Sequence, residues 1–232
     1  MAGRVTYHGG LVTDGLILHL DAARKPSYPG NGTTWYDLTS TSATGTLNNG
    51  VGHNKDNTNG GLTFDGTDQD IQGTFDYTFT TGYTVDIWLY IDPRETYPDD
   101  EGLWRLNGPS GYRVNLRRRN IQSNSWRYEG TGPNGNIGSE GMVIGAPTDG
   151  VWSHLVCSYD GETGLKGYHN SILKRTNSID LGAIPITSFQ IGRNSNSPFL
   201  QGTVAEFRVY NRQLSDDEVL QNYNALKGRF GL

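Results

Sequence analysis

The stretch YTVDIWLYID, residues 83–92, alternates apolar and polar side chains more regularly than any other part of the chain. One set of positions is aliphatic, namely Val85, Ile87, Leu89 and Ile91. The other set is mixed, namely Thr84, Asp86, Trp88, Tyr90 and Asp92. Successive side chains of a strand point to opposite faces, so this period of two predicts a strand with one core face.

Shorter runs of the same kind recur and are separated by clusters of Gly, Asn, Asp and Pro. They are residues 16–20, 62–64, 151–159, 165–169, 188–191 and 203–210. At least seven strands are too many for one flat sheet in a domain of this size. The sequence therefore predicts an all-β fold of two packed antiparallel sheets.

Composition supports this class and excludes others. The 232 residues include 32 Gly, 23 Thr and 19 Asn but 8 Ala, a balance that disfavours helix. The chain contains 19 Lys and Arg against 24 Asp and Glu, a net charge of −5, which argues against a nucleic-acid partner. No apolar run approaches the roughly 18 residues of a membrane span, and the lone Cys157 excludes an internal disulfide.

One helix is predicted near the carboxyl end, over about residues 215–227. Ser215 and Glu218 have the spacing of a capping box, and apolar residues then recur on one helical face until Gly228. We expect this helix to pack on the sandwich. The predicted domain is 15–232, preceded by a polar arm at 1–14 that has no export signal.

An ordered set of local patterns accompanies these elements: GLILHLDA (15–22), TTWYDLT (33–39), GGLTFDGTDQDI (60–71), YTVDIWLYID (83–92), GVWSHLVCSYDG (150–161), SFQIGRN (188–194) and GTVAEFRVYNRQLSDDEV (202–219). In order and spacing this set resembles the laminin-G-like, concanavalin A-like lectin/glucanase superfamily. The resemblance implies a two-sheet antiparallel jelly roll with one concave sheet. It leaves function open, because this fold carries lectins, hydrolases and structural modules.

The ending VYNRQLSDDEVLQNYNALKGRFGL (209–232) also resembles the carboxyl ends of laminin-G-like domains in structural proteins of tailed bacteriophages. This resemblance implies a non-enzymatic virion protein on the particle surface, as capsid decoration or part of a fibre or tail. Such a protein is made in the host cytoplasm, and its partners are other virion subunits or identical copies, with weak contact to host-surface glycans. The alternative is a soluble calcium-dependent lectin module without a particle.

Catalytic patterns are weak, and we expect no enzyme activity. Hydrolases of the superfamily resemble Glu-x-Asp-x-x-Glu on one strand, which no stretch here matches. Asp86 is interpreted as a solvated or hydrogen-bonded sheet residue, and Cys157 as a packed core thiol. His154 lies on the opposite strand face from Cys157 and cannot easily pair with it.

A structural calcium ion is implied by the resemblance to concanavalin A-like domains. The matching positions are Asp21 and Glu206, with Asp65 or Asp68 as neighbours. Oxygen ligands from separate strands would lock loops without a disulfide. The alternative is a set of ordinary turn aspartates and an exposed glutamate.

Carbohydrate sites place flat aromatic rings against sugars and surround them with polar groups. The candidate rings are Trp88, Tyr90, Trp104, Tyr112, Trp126 and Tyr128, with Arg105, Asn115 and Arg127 as polar partners. Residues 93–130 are interpreted as irregular, with Arg117, Arg118 and Arg119 at a hairpin tip. The alternative is that the rings fill the sandwich or an oligomer contact.

Overall fold

The computed structural model describes residues 10–54, 59–120, 124–138, 141–195 and 197–232. Within them the strands are β1 (Leu16–Asp21), β2 (Thr34–Tyr36), β3 (Thr44–Asn48), β4 (Gly52–Asn54), β5 (Gly61–Asp65), β6 (Asp70–Phe79), β7 (Tyr83–Ile91), β8 (Asp100–Asn107), β9 (Arg113–Arg119), β10 (Ser125–Thr131), β11 (Met142–Val143), β12 (Trp152–Tyr159), β13 (Gly164–His169), β14 (Ile172–Ser178), β15 (Ile184–Ile191) and β16 (Gln201–Tyr210). Helix α1 spans Asp216–Leu226 and continues into a short 3₁₀ turn, Lys227–Phe230.

The strands form two antiparallel sheets. The first has the order β14-β13-β12-β7-β16-β5-β4, with β1 also paired to β16. The second has the order β11-β10-β9-β8-β15-β6-β3-β2. The inner faces of the two sheets pack on each other around one large apolar core. This arrangement confirms the predicted all-β jelly-roll sandwich.

Helix α1 begins with the predicted capping box. Glu218 N donates to Ser215 Oγ (3.3 Å), and Ser215 N donates to Glu218 Oε2 (2.8 Å). The helix and the turn after it cover the part of the outer face of the first sheet around Trp88, where Tyr223 and Phe230 stack on this ring with centroids 5.7 and 4.3 Å away. Strand β7 is therefore buried on both faces, although its sequence alternates.

Residues 93–130 are more regular than expected. They contain β8, β9 and most of β10. The arginines of the predicted hairpin tip lie in β9, and Arg118 points inward and is fully buried. Its Nη1 donates to Asp149 Oδ1 (3.0 Å), and its guanidinium lies 3.6 Å from the centroid of the Tyr97 ring.

The first nine residues of the predicted arm lie outside the described residues. Beyond them, Val12 is buried, and its backbone N–H donates to Asn222 Oδ1 on α1 (2.9 Å). Among the described residues, no helix has the length and apolar character that crossing a bilayer requires.

Candidate functional site

The outer face of the second sheet is open and polar. Leu47 and Ile71 point into the core from β3 and β6, and the alternating positions of the same strands point outward. A shallow depression of about 370 Å³ lies on this face. Its outward side chains are hydroxyls and amides from four adjacent strands: Thr44, Thr46, Gln72, Thr74, Asn107, Ser188 and Gln190.

Two amides of this face are held in place by one carboxylate. Asp70 Oδ2 accepts hydrogen bonds from Gln72 Nε2 (2.7 Å) and Gln190 Nε2 (2.8 Å), and Oδ1 accepts one from Asn48 Nδ2 (2.8 Å). These hydrogen bonds fix the orientation of both glutamine amides on the surface.

A second depression, of about 510 Å³, adjoins the first and is charged. Its ionic side chains are Asp100, Arg105, Arg113, Arg117 and Glu129. Strand register joins the two depressions, since Arg113 lies opposite Asn107 and Arg105 lies opposite Gln190. Together they form a continuous polar surface from β3 to β9, four strand spacings or about 19 Å across.

Four of the six candidate rings do not reach this surface, which corrects the sequence interpretation. Trp104, Trp126 and Tyr128 point inward and are fully buried in the sandwich core. Trp88 points outward from the first sheet, but α1 and Phe230 cover it completely. These four rings therefore fill the protein interior, as the alternative interpretation held.

The other two candidate rings, Tyr90 and Tyr112, are partly exposed but lie apart. Tyr90 is on the outer face of the first sheet and packs on Trp152, with centroids 5.7 Å apart. Tyr112 precedes β9 and packs partly against the core. The six rings therefore do not assemble into one platform.

Sequence reasoning missed an aromatic ring at the edge of the open face. Tyr36 is 46% exposed and lies opposite Thr44, which lines the hydroxyl and amide depression. The neighbouring Trp35 is fully buried in the core. Successive side chains of β2 point to opposite faces, so one ring points inward and the other outward. The tripeptide Thr-Trp-Tyr, read as a strand, already predicts that one of its two rings is exposed.

A separate cluster on the first sheet has the side chains of a metal site. His19, Asp21 and Glu206 are all buried, and one ligand atom from each lies within 4.8 Å of the others. Pairing of β1 with β16 brings them together, since Asp21 lies opposite Glu206. The cluster could hold a metal ion, and it includes both central residues of the calcium prediction.

The donor set does not fit calcium, which takes six to eight oxygen ligands. His19 supplies a nitrogen, and its Nε2 lies 2.7 Å from Glu206 Oε1 in a direct hydrogen bond. Both carboxylates also face guanidinium groups: Arg208 Nη1 is 3.3 Å from Glu206, and Arg229 Nη1 is 2.9 Å from Asp21. These arginines supply the positive charge that an ion would bring.

The other two predicted calcium ligands do not join the cluster, which corrects their assignment. Asp65 ends β5 and Asp68 lies in the turn that follows, and both take part in hydrogen bonds of this turn. Asp65 Oδ1 accepts a hydrogen bond from Thr67 N (2.8 Å), and the Asp68 carbonyl accepts one from Asn49 Nδ2 (2.8 Å). His19 was missed although its spacing of two residues from Asp21 places both side chains on the same face of β1.

Comparison with known proteins agrees with this architecture. The family model described as the concanavalin A-like lectin/glucanases superfamily matches residues 56–220. The chain belongs to this superfamily. The superfamily model covers most of the sandwich and the start of α1, including the whole of the open face except β2 and β3.

Solved structures of the superfamily fold are similar at low sequence identity. Domain 4 of the GH43 extracellular arabinanase from Geobacillus stearothermophilus, in complex with arabinotriose, has a TM-score of 0.67 at 18% identity, over 90% of this chain and 98% of that one. Trypanosoma rangeli sialidase in complex with sialic acid gives 0.65 at 17%, over 95% of this chain and 34% of that one. The binding domain of botulinum neurotoxin serotype D gives 0.72 at 14%, over 90% and 50%.

These likenesses show the fold. The chain spans about a third of the sialidase and half of the neurotoxin domain, and none of the three is described as a virion protein. No curated protein sequence matches the chain.

Asp86 and Cys157 both lie in the interior of this superfamily member. Asp86 Oδ1 accepts hydrogen bonds from Arg208 Nη2 (2.7 Å) and lies 2.9 Å from His154 Nε2. Burial alone would raise the pKa of Asp86, but Arg208 and His154 hold it well below its usual range. Cys157 is buried, and burial raises the pKa of its thiol well above the usual value, as in an unreactive core cysteine.

Proposed function

We propose that this domain is a non-catalytic carbohydrate-binding module that holds its ligand on the open face of the second sheet. One observation carries the proposal. The part of the outer face of the first sheet around Trp88 is covered by α1 and Phe230, whereas the outer face of the second sheet presents hydroxyls and amides from adjacent strands. A sugar chain offers the matching hydroxyl groups along its length.

The site is partly organised in advance. The hydrogen bonds from Gln72 and Gln190 to Asp70 fix two amides, which lowers the entropy lost on binding. Tyr36 supplies a ring at one edge, on which the apolar face of a sugar can stack. The depression is shallow and open, so we expect weak binding per site and useful adhesion through many copies.

The charged depression favours binding over bond cleavage. Glycoside hydrolysis needs a proton-donating acid and a second carboxylate as nucleophile or base. Here Arg117 pairs with both Asp100 (3.2 Å) and Glu129, so both carboxylates are already ion-paired with one guanidinium. The arabinanase domain, which the chain matches over 98% of that domain's length, was solved with arabinotriose and supports a sugar ligand.

A glycan array with three forms of the protein tests this function. Thr46→Trp places a bulky side chain on the open face, and Thr176→Trp is the matched control on the exposed edge strand β14. We expect the native protein to bind at least one glycan, Thr46→Trp to lose at least tenfold in affinity and Thr176→Trp to change less than twofold. Equal loss in both variants, or no glycan bound, would contradict the proposal.

We also propose that this module is a component of a virion surface and that its partners there are sibling subunits. Many copies on a particle would supply the avidity that a weak site needs. The alternative is a soluble lectin that acts alone. Mass spectrometry of purified particles tests the virion proposal. If this chain is absent from the particles, the soluble lectin is favoured.

A further inference from the structure

Two arginines of the charged depression are neighbours on the open face. Arg105 on β8 lies opposite Asn115 on β9, and Arg113 is two residues before Asn115. Such diagonal neighbours on one sheet face are about 7–8 Å apart at their backbones, within reach of long side chains. Both guanidinium groups line the same depression.

Most donors of these two side chains have no protein acceptor in the described structure. Arg105 Nη1 donates to Asn194 Oδ1 (3.1 Å), and Arg113 Nη1 donates to the carbonyl of Gly111 (3.2 Å). Each guanidinium has five N–H groups. Within the described ranges, no carboxylate oxygen lies within 4.0 Å of either arginine.

The nearby acids are engaged elsewhere. Asp100 and Glu129 both pair with Arg117. The depression thus holds three arginines against two carboxylates, on a protein with a net charge of −5. Burial, and then the charge of Arg113, lower the pKa of Arg105, while Glu129 opposes this. An added anion would offset the repulsion between the two cations.

We propose that Arg105 and Arg113 form the subsite for the carboxylate of an acidic sugar, so that the ligand is a uronate-containing or sialylated glycan. This inference rests on the proposed function for the identity of the ligand as a carbohydrate. A planar carboxylate matches the paired N–H groups of guanidinium in charge and geometry. The neutral part of the same chain then crosses Asn107 and Gln190, the strand neighbours of the two arginines, into the hydroxyl and amide depression.

Nucleic acid is the less favoured anionic ligand. Single-strand binding surfaces interleave cations with aromatic rings on which bases stack, and among the residues that the structure describes no aromatic ring lines this charged depression. The adjoining surface offers hydroxyls and amides, which suit sugar hydroxyls.

Matched acidic and neutral saccharides test the subsite by isothermal titration calorimetry. The pairs are trigalacturonate with its methyl ester, and sialyllactose with lactose. We expect at least one acid to bind tenfold or more tightly than its neutral partner. Arg105→Gln and Arg113→Gln should each remove that preference, while Arg175→Gln, an exposed arginine on β14, should leave it unchanged. No preference for either acid, or a preference that survives both subsite variants, would overturn the inference.

A second measurement separates this inference from the proposed function. Sodium glucuronate is titrated while the arginine Nε–Hε NMR signals are followed, and we expect the signals of Arg105 and Arg113 to shift together. Neutral glycans that bind in a Thr46→Trp-sensitive way without any acid preference would sustain the function and overturn the subsite. A glucuronate response without binding of any oligosaccharide would sustain the anion subsite and overturn the carbohydrate function. If no oligosaccharide binds and glucuronate shifts neither arginine signal, the carbohydrate function and the anion subsite are both overturned.

Discussion

The carboxylate of Asp86 accepts a 2.7 Å hydrogen bond from Arg208, and neither side chain has any exposed surface. The pair joins adjacent strands β7 and β16 beneath α1. Asn222 Nδ2 of the helix donates to the other carboxylate oxygen of Asp86 (3.0 Å). The buried charges therefore connect β7 and β16 to the helix that packs on them.

Replacing Asp86 should test this connection. Asp86→Asn keeps the shape but removes the closer of the two carboxylates that face Arg208 in the interior, with Glu206 at 3.3 Å as the other, so we expect a loss of about 3 kcal/mol in the free energy of unfolding. Asp68→Asn, on an exposed turn, should change it by less than about 0.5 kcal/mol. Urea unfolding followed by circular dichroism measures both, and equal small effects would refute a structural role for the pair.

The apolar part of the helix contact makes a separate prediction. Phe230 is buried, stacks on Trp88 with ring centroids 4.3 Å apart, and packs at a tilt against Trp152 with centroids 4.5 Å apart. Phe230→Ala should cost about 3 kcal/mol of stability because it opens a cavity over the first sheet. Leu220→Ala, at an exposed position of α1, is the control and should cost less than about 1 kcal/mol. Trp fluorescence should change in the first variant alone.

Stability should also depend on His169. Burial, then the charges of Lys174 and His154, lower its pKa to about 4 from an ordinary 6.5. Between pH 6.5 and 4, His169 is protonated in the unfolded chain but stays neutral in the folded protein. The free energy of unfolding therefore falls as the pH drops from 6.5 towards 4. We expect a loss of up to about 2 kcal/mol, allowing for screening of this partly exposed ring. Thermal unfolding of His169→Gln should show a flatter slope over that window; an unchanged slope would disprove the assignment.

Calcium should not stabilise the protein. Asp21 and Glu206 supply fewer oxygen ligands than the six to eight that calcium takes, His19 supplies a nitrogen, and Arg208 and Arg229 already face the two carboxylates. The melting temperature after chelator treatment should stay the same on adding millimolar calcium. A rise that Glu206→Gln abolishes would restore the calcium prediction.

The fold follows from local patterns, whereas the site depends on contacts distant in sequence. Alternation in 83–92 and the capping box at Ser215 are properties of neighbouring residues, and both predicted their elements correctly. The same alternation places Trp88 among the polar positions of this strand and so predicted, wrongly, that its ring is exposed. Its burial depends on Phe230, which lies far along the chain.

Residues 93–130 were harder to interpret for a related reason. The register of β8 against β9 shifts between Gly102 and Trp104, which breaks the period of two. Arg118 points into the protein, where its guanidinium donates to Asp149 and lies over the Tyr97 ring. Three consecutive arginines therefore occupy both inward and outward positions of β9, and their sequence shows no apolar–polar alternation. Neither partner is near enough in sequence to be inferred.

The central claim is that ligands bind on the open face of the second sheet. NMR chemical-shift mapping on the native protein, with the tightest-binding saccharide from the array, tests it most directly. We predict that the shifted amide signals cluster on Thr46, Gln72, Asn107 and Gln190. Shifts confined to α1 and the first sheet, or shifts scattered over both sheets, would contradict the claim.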